Sequence, residues 1–330
     1  MNEKALPVLN QYDFKIKGTR RVRGSYYCES DKGLMLLKEY ENSEGKLQIL
    51  EKLQLYLESV GFKTDRVLRN KDGGLISQGP DGGIYILKKW FEHRESEADS
   101  EEDMVNGIRS MAKLHTYTKD LRRVFGDEDA IPLGRNFSET MKKHNRELLK
   151  AKRFVEKLKN KSEFEFQLIQ DISNYYKQAV QALEMLDEGK YAEIMSQAQR
   201  LKTICHGNMQ YHNILVTDGE TVIANYIRAG INIHVYDIYT YLKKCMEKNQ
   251  WNVELAEKIL VEYENLNDIG RDEKEILKIM FIYPEKFWKI VNSYYNSNKV
   301  WISEKNKEKL TQVNEQEESR QKFIKYIMNY

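Results

Sequence analysis

Short apolar runs bounded by turn residues dominate residues 1–92, and amphipathic stretches that repeat every three to four residues dominate the rest. Leu34–Lys38 (LMLLK) and Ile84–Trp90 (IYILKKW) read as strands, preceded by turn chemistry at Asp31–Gly33 and at Asp72–Gly74 or Asp81–Gly83. Between them Leu47, Leu50, Leu53 and Leu57 recur at helical spacing, and Gly61 supplies a stop. Strands around one helix predict a small α+β lobe over residues 1–92. From Ser96 the pattern turns helical, with Met104, Ile108, Met111 and Leu114 on one face. Residues 139–158 and 163–187 read as two long helices, the second carrying Leu168, Ile172, Tyr175, Ala179, Leu183 and Leu186. The polar segment Phe154–Lys161 is expected to stay unpacked between them. Residues 204–224 break this rhythm with a loop and a hairpin, ILV and TVIA, joined at Asp218–Gly219. After Tyr236 helices resume, with Leu255, Ile259, Leu260 and Tyr263 on one face, and the last thirty residues read as a solvated terminal helix. Residues 93–330 therefore form a second, helical lobe, and its apolar stripes read as helix–helix core.

Composition narrows the class. A chain of 330 residues with 41% hydrophobic and 32% charged positions has the balance of a folded protein of about two domains. Lys and Arg number 53 against 51 Asp and Glu, a net charge of +2, so no global basic excess is present to neutralise a run of phosphates, and no nucleic-acid partner is expected. Cys28, Cys205 and Cys245 are odd in number and widely spaced, which reads as reduced thiols. The N-terminus lacks a basic region followed by an apolar run, and no stretch nears the roughly 18 apolar residues of a transmembrane segment. A cytoplasmic site of synthesis is the expectation.

The chemistry gathers in one loop. His206-Gly207-Asn208, then His212-Asn213, with Asn225 just past a hairpin, has the layout of a phosphotransferase catalytic loop. Such a loop uses an Asp to accept the acceptor's proton, an Asn five residues on to hold Mg²⁺, and a second Asp after the hairpin to hold the metal against the phosphates. His206 and His212 have no third ligand nearby for zinc, so His206 reads as a brace for the loop.

With CHGNMQYHNIL, the segments EEDMVNGIRSMAKLH (101–115), YDIYTYLKK (236–244) and YPEKFWKIVNSYYNSNKVW (283–301) make the chain resemble the CotS-type spore coat proteins. That family shares the aminoglycoside-phosphotransferase branch of the protein-kinase-like fold. The resemblance implies a bilobal fold with a small β-rich N-lobe and a large helical C-lobe, synthesis in the mother-cell cytoplasm and deposition in the spore coat. Its partners would be other coat proteins or a coat saccharide. Carried over, Lys38 matches the strand lysine that contacts nucleotide phosphates, with Glu51 as its partner and Glu44 as the alternative. Residues 17–28 take the phosphate-loop position with only Gly18 and Gly24, and Trp90–Arg94 the hinge. Asp237 matches an Asp that supports the catalytic loop. Trp288, Tyr294, Tyr295 and Trp301 read equally as a partner surface or as core.

The departures matter more. Asn208 stands at the catalytic-Asp position and Asn225 at the metal-binding Asp position, and only Asn213 keeps the family's residue type. An amide accepts no proton at neutral pH and is an uncharged ligand for a hard cation. The expectation is a pseudokinase in coat structure or assembly, with ATP and Mg²⁺ implied by the resemblance alone. The alternative is an active ATP-dependent kinase of a small molecule, coat saccharide or coat protein, with Asp218 or Asp237 standing in for a lost carboxylate.

Overall fold

Alternation along the first strands builds one antiparallel sheet with two unlike faces. In the computed structural model, which describes residues 3–296 and 304–330, β1 (Ile16–Val22), β2 (Ser25–Ser30) and β3 (Gly33–Glu39) precede helix α1 (Glu44–Ser59). Then come β4 (Val67–Leu68), β5 (Ser77–Gln78) and β6 (Ile84–Lys89). The sheet order is β1-β2-β3-β6-β4, with β5 also paired to β6. Register aligns Tyr26, Leu37 and Leu87 on one face, where Val8 and Leu9 of the N-terminal 3-10 segment Glu3–Gln11 complete an apolar core. The other face carries Lys38 opposite Ser25 and Ile86, and Lys88 opposite Leu36.

The four leucines of α1 are buried as their spacing predicts. The helix ends where Gly61 takes φ +81°, with Phe62 N–H donating to Leu57 O at 2.8 Å and Gly61 N–H to Glu58 O at 3.1 Å. This pair of bonds satisfies the last carbonyls and uses the left-handed backbone that glycine adopts freely.

The chain continues through β7 (Arg94–Glu95), α2 (Glu101–Thr118), α3 (Phe137–Lys157), α4 (Glu163–Glu188) and α5 (Tyr191–Leu201). It then forms β8 (Ile204–Cys205), the hairpin β9 (Ile214–Thr217) and β10 (Glu220–Ile223), and β11 (Gly230–Ile231), which pairs with β8. Helices α6 (Val235–Lys248), α7 (Val253–Glu264), α8 (Arg271–Ile282), α9 (Glu285–Asn296), α10 (Glu304–Glu315) and α11 (Glu317–Asn329) follow. An antiparallel sheet followed by a helical region is the α+β class that the pattern predicts. Two compact units result: Met1–Gly134 with Ala198–His234, and Arg135–Gln197 with Val235–Tyr330.

The second unit is helical, and it corrects two expectations. Helix α3 runs on to Lys157 with Val155 fully buried, so the first part of the polar segment 154–161 is packed helix. The chain end forms two helices: Leu310 of α10 and Phe323 and Ile327 of α11 are buried, Phe323 against Trp251 and Phe281. A narrow apolar stripe on a polar helix hides in composition but suffices for docking. Tyr294 is buried and bonded to Glu165, so it is core, while half-buried Trp288 stacks on His144 and donates to Glu147 at 2.9 Å. Tyr295 is half-buried against Phe154, and Trp301 lies outside the described residues. Among the described residues no helix is long and apolar enough to cross a membrane.

Candidate functional site

The loop between β8 and β9 is anchored at both ends. Gly207 adopts φ +75°, and a Cβ there would lie 2.3 Å from Arg228 O, so the close approach of two loop segments requires glycine. His206 is buried; its Nε2 lies 2.9 Å from Ala224 O, and its Nδ1 accepts Asn208 N–H at 3.3 Å. Those partners fix the proton on Nε2 and tie the loop to the residue before Asn225. Burial, and after it the electrostatic effect of neighbouring His206, push His115 down to about 3. His115 is fully buried and stacks on His234 at 4.0 Å, so α2 supports the loop with a neutral imidazole.

Three amides form a chain. Asn213 Nδ2 donates to Asn208 O at 2.8 Å, and Asn225 Nδ2 donates to Asn213 Oδ1 at 3.0 Å. The Asn208 side chain accepts Gln210 Nε2 at 3.0 Å. Asn225 itself sits at φ 68°, ψ 50°, a left-handed conformation that Asn tolerates better than most residues.

The structure adds two residues that pattern reading passed over. Lys88 of β6 is 5% exposed; its ammonium bonds Asp65 and also reaches Asn225 Oδ1 at 3.1 Å. Asp65, fully buried, takes Asn225 N–H at 2.9 Å and Gln54 Nε2 at 3.3 Å. Gln54 in turn accepts Val67 N–H at 3.2 Å, so α1 and the start of β4 hold the carboxylate. The signal was present: Lys88 lies two positions beyond Ile86, on the same strand face, at the end of an apolar run. An inward lysine there requires a carboxylate.

Lys38 lies diagonally from Lys88 on the same sheet face. Burial, then the like charge of Lys88, lower its pKa, and Asp65 opposes them. The expected Lys38–Glu51 pair is replaced: Arg69 Nε reaches Glu51 Oε1 at 2.7 Å and a second guanidinium nitrogen takes Oε2. Arg69 directly follows β4 beside α1, and its planar fork matches a carboxylate's two oxygens. Gly24, Lys38, Tyr40, Ile86, Lys88 and Asn225 line a cleft of about 350 Å³, within the usual range of ligand pockets. Segment 90–95 joins sheet to hairpin: Trp90 N–H donates to Leu34 O at 2.9 Å, Trp90 and Phe91 pack on Leu215, Val222 and Ala224, and β7 pairs with β9. Asp218 is exposed at the hairpin turn, at the end opposite Asn225. Asp237 is fully buried in the first turn of α6, in the second unit.

The family described as "Spore coat putative kinase YutH" matches residues 7–327. The chain belongs to this family. Its description carries the spore coat name and the kinase likeness expected above, under YutH rather than CotS. No curated protein sequence matches the chain. An aminoglycoside phosphotransferase from Alicyclobacillus acidocaldarius matches with TM-score 0.86 at 16% identity, over 98% of this chain and 95% of that one. Spectinomycin phosphotransferase in an AMP-bound complex matches with TM-score 0.57 at 12% identity, over 98% and 96% of the two chains. A choline/ethanolamine kinase family protein from Mesorhizobium loti matches with TM-score 0.55 at 12% identity, over 98% and 95%. The fold is therefore aminoglycoside-phosphotransferase-like.

The residues present do not fit a divalent cation at the position that the family layout gives it. The side-chain oxygens of Asn213 and Asn225 are uncharged and already accept protein donors, and an ammonium stands 3.1 Å from the second. Among the described residues no group of three His, Cys, Asp or Glu side chains could hold a metal. The cleft lining holds Lys38 and Lys88 together with Glu39 and Glu41.

Proposed function

We propose that this member of the YutH family is a spore coat protein, akin to the CotS type, whose kinase-like site has lost or strongly reduced phosphotransfer and which serves coat structure or assembly. It would be made in the mother cell and join the coat through coat proteins or a coat saccharide. The observation that carries this reading is Asn225: its Oδ1 faces the Lys88 ammonium and its N–H is held by Asp65. Where a metal-binding carboxylate would project, the chain has built an internal ion pair. Asn208 removes the base as well, and general-base catalysis is typically worth about 10²–10⁴-fold.

The test is transfer of labelled γ-phosphate from ATP to spore coat extract. The double variant Asn208→Asp, Asn225→Asp is expected to gain transfer over the unmodified protein. Equal rates in the two, well above a no-protein blank, would overturn the reading in favour of an active kinase.

A further inference from the structure

We propose that the cleft binds a phosphoanion of the nucleoside di- or triphosphate class without a divalent cation, Lys88 supplying from within the protein the positive charge that a metal would otherwise bring. This deepens the pseudokinase reading and rests on it.

Three observations converge. Lys88 is nearly buried yet borders the cleft, and two of its three ammonium donors are fixed, one on Asp65 and one on Asn225 Oδ1. An ammonium held this way is preorganised, so little side-chain entropy remains to be lost when an anion arrives. Second, Lys38 stands on the same sheet face, and no ion pair to it forms among the described residues. The inner wall thus carries two ammonium groups against one carboxylate, Asp65, which is fully buried behind Lys88. Glu39 and Glu41 also border the cleft and, like Lys38, are exposed; Glu39 belongs to the opposite pleat face from Lys38. Third, Gly24 at the tip of the β1–β2 hairpin has nothing within 4 Å of its Cβ position, which leaves room for a phosphate group to approach the backbone. A divalent cation would instead meet neutral amides beside a fixed ammonium.

Isothermal titration with ATP, ADP, AMP and inorganic tripolyphosphate, each in EDTA and in Mg²⁺, tests this on the full chain. ATP and ADP are expected to bind in EDTA at least as tightly as in Mg²⁺, and AMP more weakly. Lys38→Met, which removes an exposed side chain, is expected to weaken ATP by about tenfold or more, the scale of a lost charge-assisted contact. Asn225→Asp, which neutralises Lys88 without orphaning a buried charge, is expected to weaken ATP in EDTA and to gain affinity in Mg²⁺. Binding that requires Mg²⁺, no binding of any probe, or ATP affinity unchanged in both variants would overturn the proposal. Metal-dependent binding without γ-phosphate transfer would sink this proposal alone, whereas metal-dependent transfer would sink the pseudokinase reading with it.

Discussion

Asp65 and Lys88 carry the arrangement around Asn225, and their energetics can be separated. Replacing Asp65 by Ala leaves an ammonium that is 5% exposed without its carboxylate, and breaking a buried pair from one side costs about 3–5 kcal/mol. Asp65→Ala is therefore expected to lower the denaturant-measured unfolding free energy by that amount, and Asp65→Leu combined with Lys88→Met to recover part of it. A double variant no better than the sum of its singles would show that the two side chains are not coupled. Lys38, Asn208, Asn213 and Asn225 were singled out by family resemblance, and the structure sets Lys38 and Asn225 on one cleft and links Asn225 through Asn213 to Asn208. Lys88 and Asp65 were not singled out, because 23 residues separate them and their meeting depends on where α1 and β4 place a short loop. Glu51 was assigned to the wrong cation for a related reason: Arg69, eighteen residues on, reaches it through tertiary packing.

Among the secondary-structure elements, the loop after β8 is the most demanding. Gly207 and Gly219 both have positive φ, yet only Gly207 would press a Cβ against backbone, while Gly219 faces open space at the hairpin turn. Gly207→Ala is expected to destabilise the first unit by several-fold more than Gly219→Ala, which should cost about 1 kcal/mol for backbone strain alone. Similar losses in the two variants would contradict the close packing of Gly207 on Arg228. At the other end of the chain, Phe323→Ala is expected to cost about 3–5 kcal/mol, as for a buried aromatic. A loss below about 1 kcal/mol would instead match a solvated terminal helix. The α1 helix, β3, β6 and the β9–β10 hairpin were readable from periodicity and turn glycines, since their local and tertiary preferences agree. Helices α10 and α11 were not, because three or four buried side chains per helix barely change its average polarity.

Acid stability connects buried imidazoles to the behaviour of both units. His115 in the first is lowered to about 3 by burial and then by His206, and His144 in the second to about 3 by burial and then by Arg135. Each is neutral in the fold, while an unfolded chain takes up the proton near pH 6.5. The stability each group contributes is complete above about pH 6.5 and is lost as pH falls toward about 3. For fully buried His115 the expected slope is about 1.4 kcal/mol per pH unit across that window, and His115→Phe should flatten it. An unchanged slope would show that His115 titrates normally. For function, likeness to phosphotransferases gives a fold and the family description names the spore coat, while the proposed loss of chemistry turns on the Asn225 site. The most direct measurement is release or transfer of γ-phosphate from ATP by the unmodified protein as Mg²⁺ is titrated from zero. The account predicts no metal-dependent turnover above a no-protein blank. Turnover that rises and saturates with Mg²⁺, and is abolished by Asn213→Ala, would contradict it.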